Sequence, residues 1–338
     1  MRVGITYDLR DDYLAMGFGE EETAEFDRKE TIDSIDNTLQ ELGYTTDRIG
    51  HVKSLVARLS CGDRWDLVFN IAEGLEGYGR ESQIPALLDA YQIPYTFSDP
   101  LSLAMTLHKG MAKHVVRDFG LPTPDFLVLE SAGDVARVDL PFPLFVKPVA
   151  EGTGKGINAA SKVSNREELV SQCTRLLAEY RQPVIVETYL SGREFTVGIV
   201  GTGDRARAVG IMEVILKDHA EKHAYSYLNK ERCEEFVEYR PADKVHAEAA
   251  GELALAAWRA LECRDAGRID LRADKNELMN FLEANPLPGL HPHHSDLPIL
   301  CSMSGISYRD LLGWIMQSAM DRHQGLGDGH WAMSDRVR

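Results

Sequence analysis

Gly267–Arg268–Ile269–Asp270–Leu271, followed by Phe281–Leu282–Glu283–Ala284–Asn285–Pro286, says more about this chain than any other part of it. Each half is a short apolar run that reads as a strand, and side chains two apart on a strand point to the same face. Arg268 and Asp270 therefore share one face of the first strand, as Glu283 and Asn285 share one face of the second. If the two strands pair, a carboxylate from each lies beside an amide oxygen, with a guanidinium close by. Oxygen donors of that kind suit Mg²⁺, which keeps its remaining positions for water or phosphate. Two strands with ordinary polar edges are the plainer alternative, but acids set in apolar runs are buried only when paired or metal-bound. Asp270, Glu283 and Asn285 are thus the expected metal ligands.

Upstream, Phe145–Val146–Lys147–Pro148 sets a lysine inside another apolar strand, and a buried ammonium needs an anionic partner. Glu151–Gly152–Thr153–Gly154–Lys155–Gly156 follows, and its glycines let backbone N–H groups approach phosphate oxygens. Lys155 precedes Gly rather than Ser or Thr, so this is not a Walker A loop, and the spacing does not fit the dinucleotide fingerprint G-x-G-x-x-G. Most glycine-rich turns are merely tight hairpins; the strand lysine just before this one favours phosphate. Glu187–Thr188–Tyr189–Leu190 and the nearby Arg193–Glu194 read, on their own, no differently from a strand end and a solvated turn.

The 338 residues suffice for two or three packed units. A net charge of −16 argues against nucleic acid as the main partner, because phosphate backbones attract basic surfaces. No apolar run approaches the roughly 20 residues that span a bilayer, and Met1–Thr6 enters a strand without a signal-peptide pattern. Five scattered cysteines without CxxC spacing fit reduced thiols. These features predict a soluble, cytoplasmic, enzyme-sized protein without membrane or nucleic-acid partners.

The first hundred residues alternate strand and helix signals: Val3–Tyr7 and Leu67–Ile71 as strands, Ile32–Leu42 as a helix stopped by Gly43, and Ile84–Tyr91 as a helix. That is the pattern of a parallel α/β unit. Asp99–Pro100 opens a helical stretch running through Lys109 and Lys113 towards Gly120, and Leu121–Pro122–Thr123–Pro124 is a stiff connector at a boundary. Strands are expected at Leu144–Val149, Val184–Thr188 and Phe195–Val200, an irregular polar segment over residues 202–245, and a helix over Ala247–Leu261. The expected units are residues 1–100, 101–183 and 184–323, with a flexible tail over 324–338.

Taken together, these segments resemble the ATP-grasp superfamily, and within it the D-alanine–D-alanine ligases, over most of the chain. Phe69–Asn70, Glu81–Ser82–Gln83 and Ile93–Pro94–Tyr95–Thr96 resemble the family's N-terminal substrate domain. Lys109–Gly110–Met111–Ala112–Lys113, Val146–Lys147–Pro148, Val186–Val197, Gly267–Asp270 and Glu283–Gly289 match its later blocks in order. The resemblance implies an α/β substrate domain followed by two α+β subdomains that clamp ATP. It implies that Lys109 and Lys147 hold phosphates, with Gly152 and Gly154 in the loop over them. Glu187, Tyr189 and Leu190 would form the adenine hinge, with Glu194 on the ribose. Asp270, Glu283 and Asn285 would hold two Mg²⁺, and Arg268 would stabilise an oxyanion. Thr153 stands where the family has serine, Lys230 matches a mobile-loop lysine on the γ-phosphate, and Ser295 matches the serine that binds the acceptor carboxylate. The implied chemistry is acyl-phosphate formation followed by amine attack, and relatives are commonly dimers.

The departures fall on the amino-acid substrates. Glu73–Gly74 replaces the family's histidine–glycine, Tyr78–Gly79–Arg80 replaces an acidic pair, and His108 stands for an aspartate. Glu231 takes the place of a network tyrosine. Glu25 or Glu30 would be the glutamate that grips the first substrate's ammonium. His291–Pro292–His293–His294 reads either as zinc ligands or, with Gly289, as a wall of the acceptor pocket. Arg80 would meet a substrate carboxylate or form a surface ion pair. The expectation is an ATP-dependent ligase of small amino-acid-like molecules with altered substrates. Its rivals are an authentic D-alanine–D-alanine ligase and a nucleotide-binding protein without ligase activity.

Overall fold

A computed structural model describes residues 1–217 and 233–327. Lys230 and Glu231, and residues 328–338 of the expected tail, lie outside the described residues. Three parallel strands, β1 (Arg2–Thr6), β2 (Thr45–Gly50) and β3 (Leu67–Asn70), form a sheet in the order β2-β1-β3. β3 is buried throughout, as expected for a parallel strand covered on both faces. The helix Lys29–Glu41 ends at Gly43, whose φ of +93 is open to glycine.

A second, antiparallel sheet contains β4 (Phe126–Leu129), β5 (Leu144–Pro148), β6 (Lys162–Val163) and β7 (Val184–Thr188), in the order β4-β7-β5-β6. The third contains β8 (Glu194–Val200), β9 (Arg207–Leu216), β10 (Val237–Pro241), β11 (Ala266–Ala273) and β12 (Met279–Asn285), in the order β10-β9-β8-β11-β12. The helix Lys244–Ala260 buries Ala250, Leu253, Ala257 and Trp258 in the same core as Phe195, Ile269 and Phe281. This is the mixed α/β architecture that the sequence predicts.

Four expectations need correction. The stretch from Pro100 is two helices, Pro100–Leu107 and Lys109–Asp118, because His108 is extended and its Nδ1 accepts the Met111 N–H, capping the second. Residues 202–245 include strands β9 and β10; the apolar positions of Ala208–Leu216 carry that signal. The division at 183 falls inside the second sheet, because β7 pairs with both β4 and β5. The last helix, Tyr308–Gly327, continues past residue 324.

The N-terminal sheet also shares its core with the C-terminal helices. Val3, Ile5 and Phe69 lie in one cluster with Leu297, Leu311 and Ile315. Asp265 fastens this junction: it is 0% exposed, and its carboxylate accepts from the Phe97 N–H and Arg322 Nη2, both at 2.8 Å, and from Ser318 Oγ at 2.8 Å. Removing one partner of a buried pair strands the other charge. Asp265→Ala is therefore expected to lower stability by roughly 3–5 kcal/mol in chemical denaturation. A loss below about 1 kcal/mol would show that the junction is held by the apolar cluster alone.

Candidate functional site

β11 and β12 pair antiparallel with Arg268 opposite Asn285 and Asp270 opposite Glu283. Directly opposed residues share a face, so all four polar side chains project together. The register then slips, with Leu271 opposite Phe281, which leaves Leu282 as the extra residue of a bulge just where the acids end. Asp270 accepts from Thr196 Oγ1 (3.0 Å), Asn285 Nδ2 (3.1 Å) and Arg268 Nε (3.3 Å). Arg268 also reaches Asp296 through Nη1 at 3.5 Å, so the guanidinium is held from two sides.

Two cavities flank this face. The smaller, about 70 Å³, has walls that include Lys147, Glu187, Tyr189, Leu190 and Glu194. Glu187 lies 3.1 Å from both Lys147 and Lys113, and Lys113 is 0% exposed. Burial alone would raise the Glu187 carboxyl, yet the two ammonium groups hold it below its usual value. Lys113 is pushed down to about 8 by burial, which Glu187 opposes. Arg272 bridges Glu194 (3.3 Å) and the Tyr189 hydroxyl (3.4 Å) along the same wall.

The larger cavity, about 320 Å³, lies between the N-terminal unit and the third sheet, and its lining includes Thr31, Glu73, Arg268, Leu287 and His291. Both cavities are lined by Lys109, Glu151 and Glu283, so they meet there. Lys109 Nζ donates to the Glu151 carbonyl at 2.6 Å and lies 3.4 Å from Glu283. A group in the smaller cavity and a group in the larger one would therefore face each other across one ammonium and one carboxylate.

Residues 115–317 match the family model described as the D-ala D-ala ligase C-terminus. The chain belongs to the D-alanine–D-alanine ligase family. It is 34% identical over 259 residues to a D-alanine–D-alanine ligase of Bordetella petrii, covering 75% of this chain and 76% of that one. It is 32% identical over 285 residues to one of Aquifex aeolicus, covering 84% and 92%. The fold also matches the crystal structure of D-alanine–D-alanine ligase from Bacillus anthracis complexed with ATP, with a TM-score of 0.71 at 22% identity over 96% of this chain and 98% of that one. Membership of this family makes the protein an ATP-dependent ligase with the ATP-grasp fold.

Within that family frame, the structure rearranges several expected site residues. Gly152 does not aim its N–H at a phosphate; it donates to Glu25 Oε1 at 2.6 Å, and a Cβ there would collide with that oxygen. Gly152 and Thr153 line the larger cavity, while Gly154 lines the smaller. Thr153 has φ of +51, a left-handed conformation that a β-branched residue adopts only at a cost. Arg80 meets neither a substrate cavity nor solvent: it is buried, with Nη2 3.0 and 3.2 Å from the Glu25 carboxylate and Nη1 on the Ala150 carbonyl. Tyr78 is exposed and packs its ring edge-on against His108, outside both cavities. Glu25 lines the larger cavity, whereas Glu30 is exposed in the first turn of its helix.

Gly289, His291, His294 and Ser295 all line the larger cavity. His291 Nδ1 accepts the His293 and His294 N–H groups, both at 3.2 Å, which removes that nitrogen as a zinc donor. No group of three or more His, Cys, Asp or Glu placed to hold a metal occurs among the described residues. The Mg²⁺ set read from the sequence has two carboxylates and one amide. Sequence reading missed Lys155, which joins Glu25 (3.1 Å) to Glu151 (2.5 Å), and Asp296 beside Arg268. Both were visible as charges next to motif residues, but nothing in their spacing says whom they meet. Among the described residues no helix is long and apolar enough to cross a membrane.

The larger cavity is acidic. Burial pushes Glu81 up to about 7; Arg80 and Lys109 oppose the rise and Glu25 adds to it. Asp27 is pushed up to about 8 by burial and by Asp8. A folded-state value above the ordinary carboxylate range means that the fold prefers the neutral acid. The stability tied to Glu81 is complete below the unfolded value near pH 4.3 and is lost as pH rises through about 7. Glu81→Gln, which cannot ionise, is therefore expected to stabilise the ligand-free protein at pH 8 by roughly 1–3 kcal/mol while changing it little at pH 4.5. Thermal unfolding at the two pH values measures this, and an equal shift at both would contradict it.

Proposed function

We propose that the protein forms an amide bond between two small amino-acid-like substrates at the expense of ATP, with substrates that differ from the family's D-alanine pair. The observation that carries this reading is the meeting of two cavities at Lys109 and Glu283, one lined by Lys147, Glu187, Glu194 and Asp270 and the other by Glu73, Arg268 and His291. ATP would lie against the hinge Glu187–Leu190, with Glu194 at its ribose and Lys109 and Lys147 at its phosphates. Lys230 is proposed as a further phosphate contact.

The donor set fits Mg²⁺: Asp270 and Glu283 face each other, and Asn285, which gives its amide N–H to Asp270, retains a carbonyl oxygen. Bound there, the metal would offset phosphate charge. The chain's own residues do the rest. Lys109 holds the γ-phosphoryl group where a carboxylate in the larger cavity attacks it in line, giving an acyl phosphate and ADP. Arg268, fixed by Asp270 and Asp296, donates to the oxygen that becomes negative when an amine attacks the acyl carbon and phosphate leaves. The walls contributed by Gly289, His291 and Ser295 would seat the second substrate.

The altered first-substrate residues support different substrates: Glu73 stands in place of a histidine and Glu25 is already ion-paired. The named relatives favour a second reading, an authentic D-alanine–D-alanine ligase. Phosphate release on adding D-alanine alone to the protein with MgATP would support that second reading, whereas release only with other pairs supports the first.

Asp270→Asn and Glu283→Gln are each expected to abolish ATP-dependent phosphate release while leaving the circular-dichroism spectrum intact. Arg268→Lys is expected to lower kcat by roughly 10²–10³ with the KM for ATP little changed. Near-normal rates in the first two would sink the metal assignment, and a normal kcat in the third would remove Arg268 from the transition state.

A further inference from the structure

The larger cavity holds two acids without a hydrogen-bond or ion-pair partner among the described residues. Glu81 is 8% exposed and lines the cavity, yet it makes no hydrogen bond or ion pair among the described residues. Glu73, half-buried, lines the same cavity and likewise makes no side-chain hydrogen bond or ion pair among the described residues. The segment between them folds back on itself: Gly74 has φ of +71, and a Cβ there would stand 2.5 Å from the Arg80 carbonyl oxygen. Gly74 N–H donates to Asp8 at 2.9 Å, which pins the start of the turn. The turn thus brings the two acids close enough that, after burial, Glu81 is the strongest influence raising the Glu73 carboxyl.

Three of the four Lys and Arg side chains that line the cavity are engaged elsewhere. Lys109 is held by Glu283 and the Glu151 carbonyl, Arg268 by Asp270 and Asp296, and Arg10 by Thr23 and the Glu20 carbonyl. Arg28 is exposed. Glu25, the residue that the family resemblance assigns to the first substrate's ammonium, is also engaged. Arg80 and Lys155 grip its carboxylate, and Lys155 reaches Glu151 as well, so two anions and two cations close a neutral set. A carboxylate already paired with two cations attracts an incoming ammonium weakly, while two unpaired acids side by side offer it free oxygens and are driven into their ionised forms by its charge.

We propose that Glu73 and Glu81 together form the cation-binding subsite for the first substrate, receiving a protonated nitrogen that Glu25 is not available to hold. The inference rests on the ligase reading. The nitrogen is either the substrate's α-ammonium or a cationic side chain, and the shared chemistry is an ammonium or guanidinium placed between two carboxylates.

The test measures phosphate release and product mass for the full chain with MgATP. The donors are alanine and serine, lysine, ornithine and 2,3-diaminopropionate in both enantiomers, and lactate and propionate as amine-lacking counterparts, each with varied amino-acid acceptors. Amine-bearing donors should exceed their counterparts at least about tenfold in kcat/KM. Glu73→Gln, Glu81→Gln and the double variant should raise the KM of the active donor by about 10–100-fold while the KM for ATP stays unchanged. The unchanged KM for ATP, with an intact melting transition, separates this from misfolding. Preference for lysine, ornithine or 2,3-diaminopropionate over alanine and serine would identify the side chain as the source, and the reverse preference the α-ammonium. Lactate or propionate used as well as the amines, or a double variant with unchanged donor KM, would overturn the subsite while leaving a working ligase. No ATP turnover with any pair would overturn the ligase reading and the subsite with it.

Discussion

Asp270 and Glu283 face each other across one pair of antiparallel strands, and the rest of the molecular centre is arranged around that opposition. Two carboxylates on neighbouring strands repel each other unless cations stand close by. The fold meets this demand by surrounding them with positive charge from three separate parts of the chain. Arg268 comes from the same strand, Lys109 from the start of the helix Lys109–Asp118, and Lys147, whose charge also feels Glu283, from the second sheet. The break at His108 is part of this arrangement: a continuous helix would not place Lys109 at a helix start, with its own N–H on the Val149 carbonyl.

Buried charge is handled in three different ways within one site. Lys113, Glu187 and Lys147 form a triad in which one anion serves two ammonium groups, and Lys147 and Glu187 of that triad line the smaller cavity. Glu25, Arg80, Lys155 and Glu151 form a balanced set of four. Glu73 and Glu81 have no ion-pair partner among the described residues, and the fields of Arg80 and Lys109 oppose their charge. A balanced set is structural, and an acidic pair without an ion-pair partner suits a cation.

Much of this was legible in the sequence where a local rule governs the outcome. The face shared by Arg268, Asp270, Glu283 and Asn285 follows from a period of two and survives in the structure, bulge included. The ordered motif blocks carried the family. What the sequence withheld is pairing between distant charges. Arg80 reads equally well as a substrate contact or a surface residue, and only the turn at Gly74 carries it inward to Glu25. Gly152 reads as a phosphate ligand until Glu25, far away in sequence, takes its N–H. β9 was overlooked for a different reason: its apolar run lies in a polar neighbourhood, and its partner β10 is separated from it by more than a turn.

The two halves of the site also differ in how freely they can change. Much of the smaller cavity's wall comes from β5, β7, β8, β11 and β12, where each polar side chain stands in a fixed register and a shifted residue would turn to the opposite face. The first-substrate wall comes from Glu25 and from the loop around Glu73–Glu81, segments outside all three sheets, where substitutions alter the ligand contact without disturbing a ladder. A chain can thus keep the phosphoryl-transfer apparatus nearly intact while exchanging the chemistry that selects the first substrate. The residues found here fit that division: the motif positions on strands match the family, and the departures cluster on the loops. Substrate identity in such a protein is therefore to be read from the charge balance of loops 20–28 and 73–82, not from the quality of the match in the sheets.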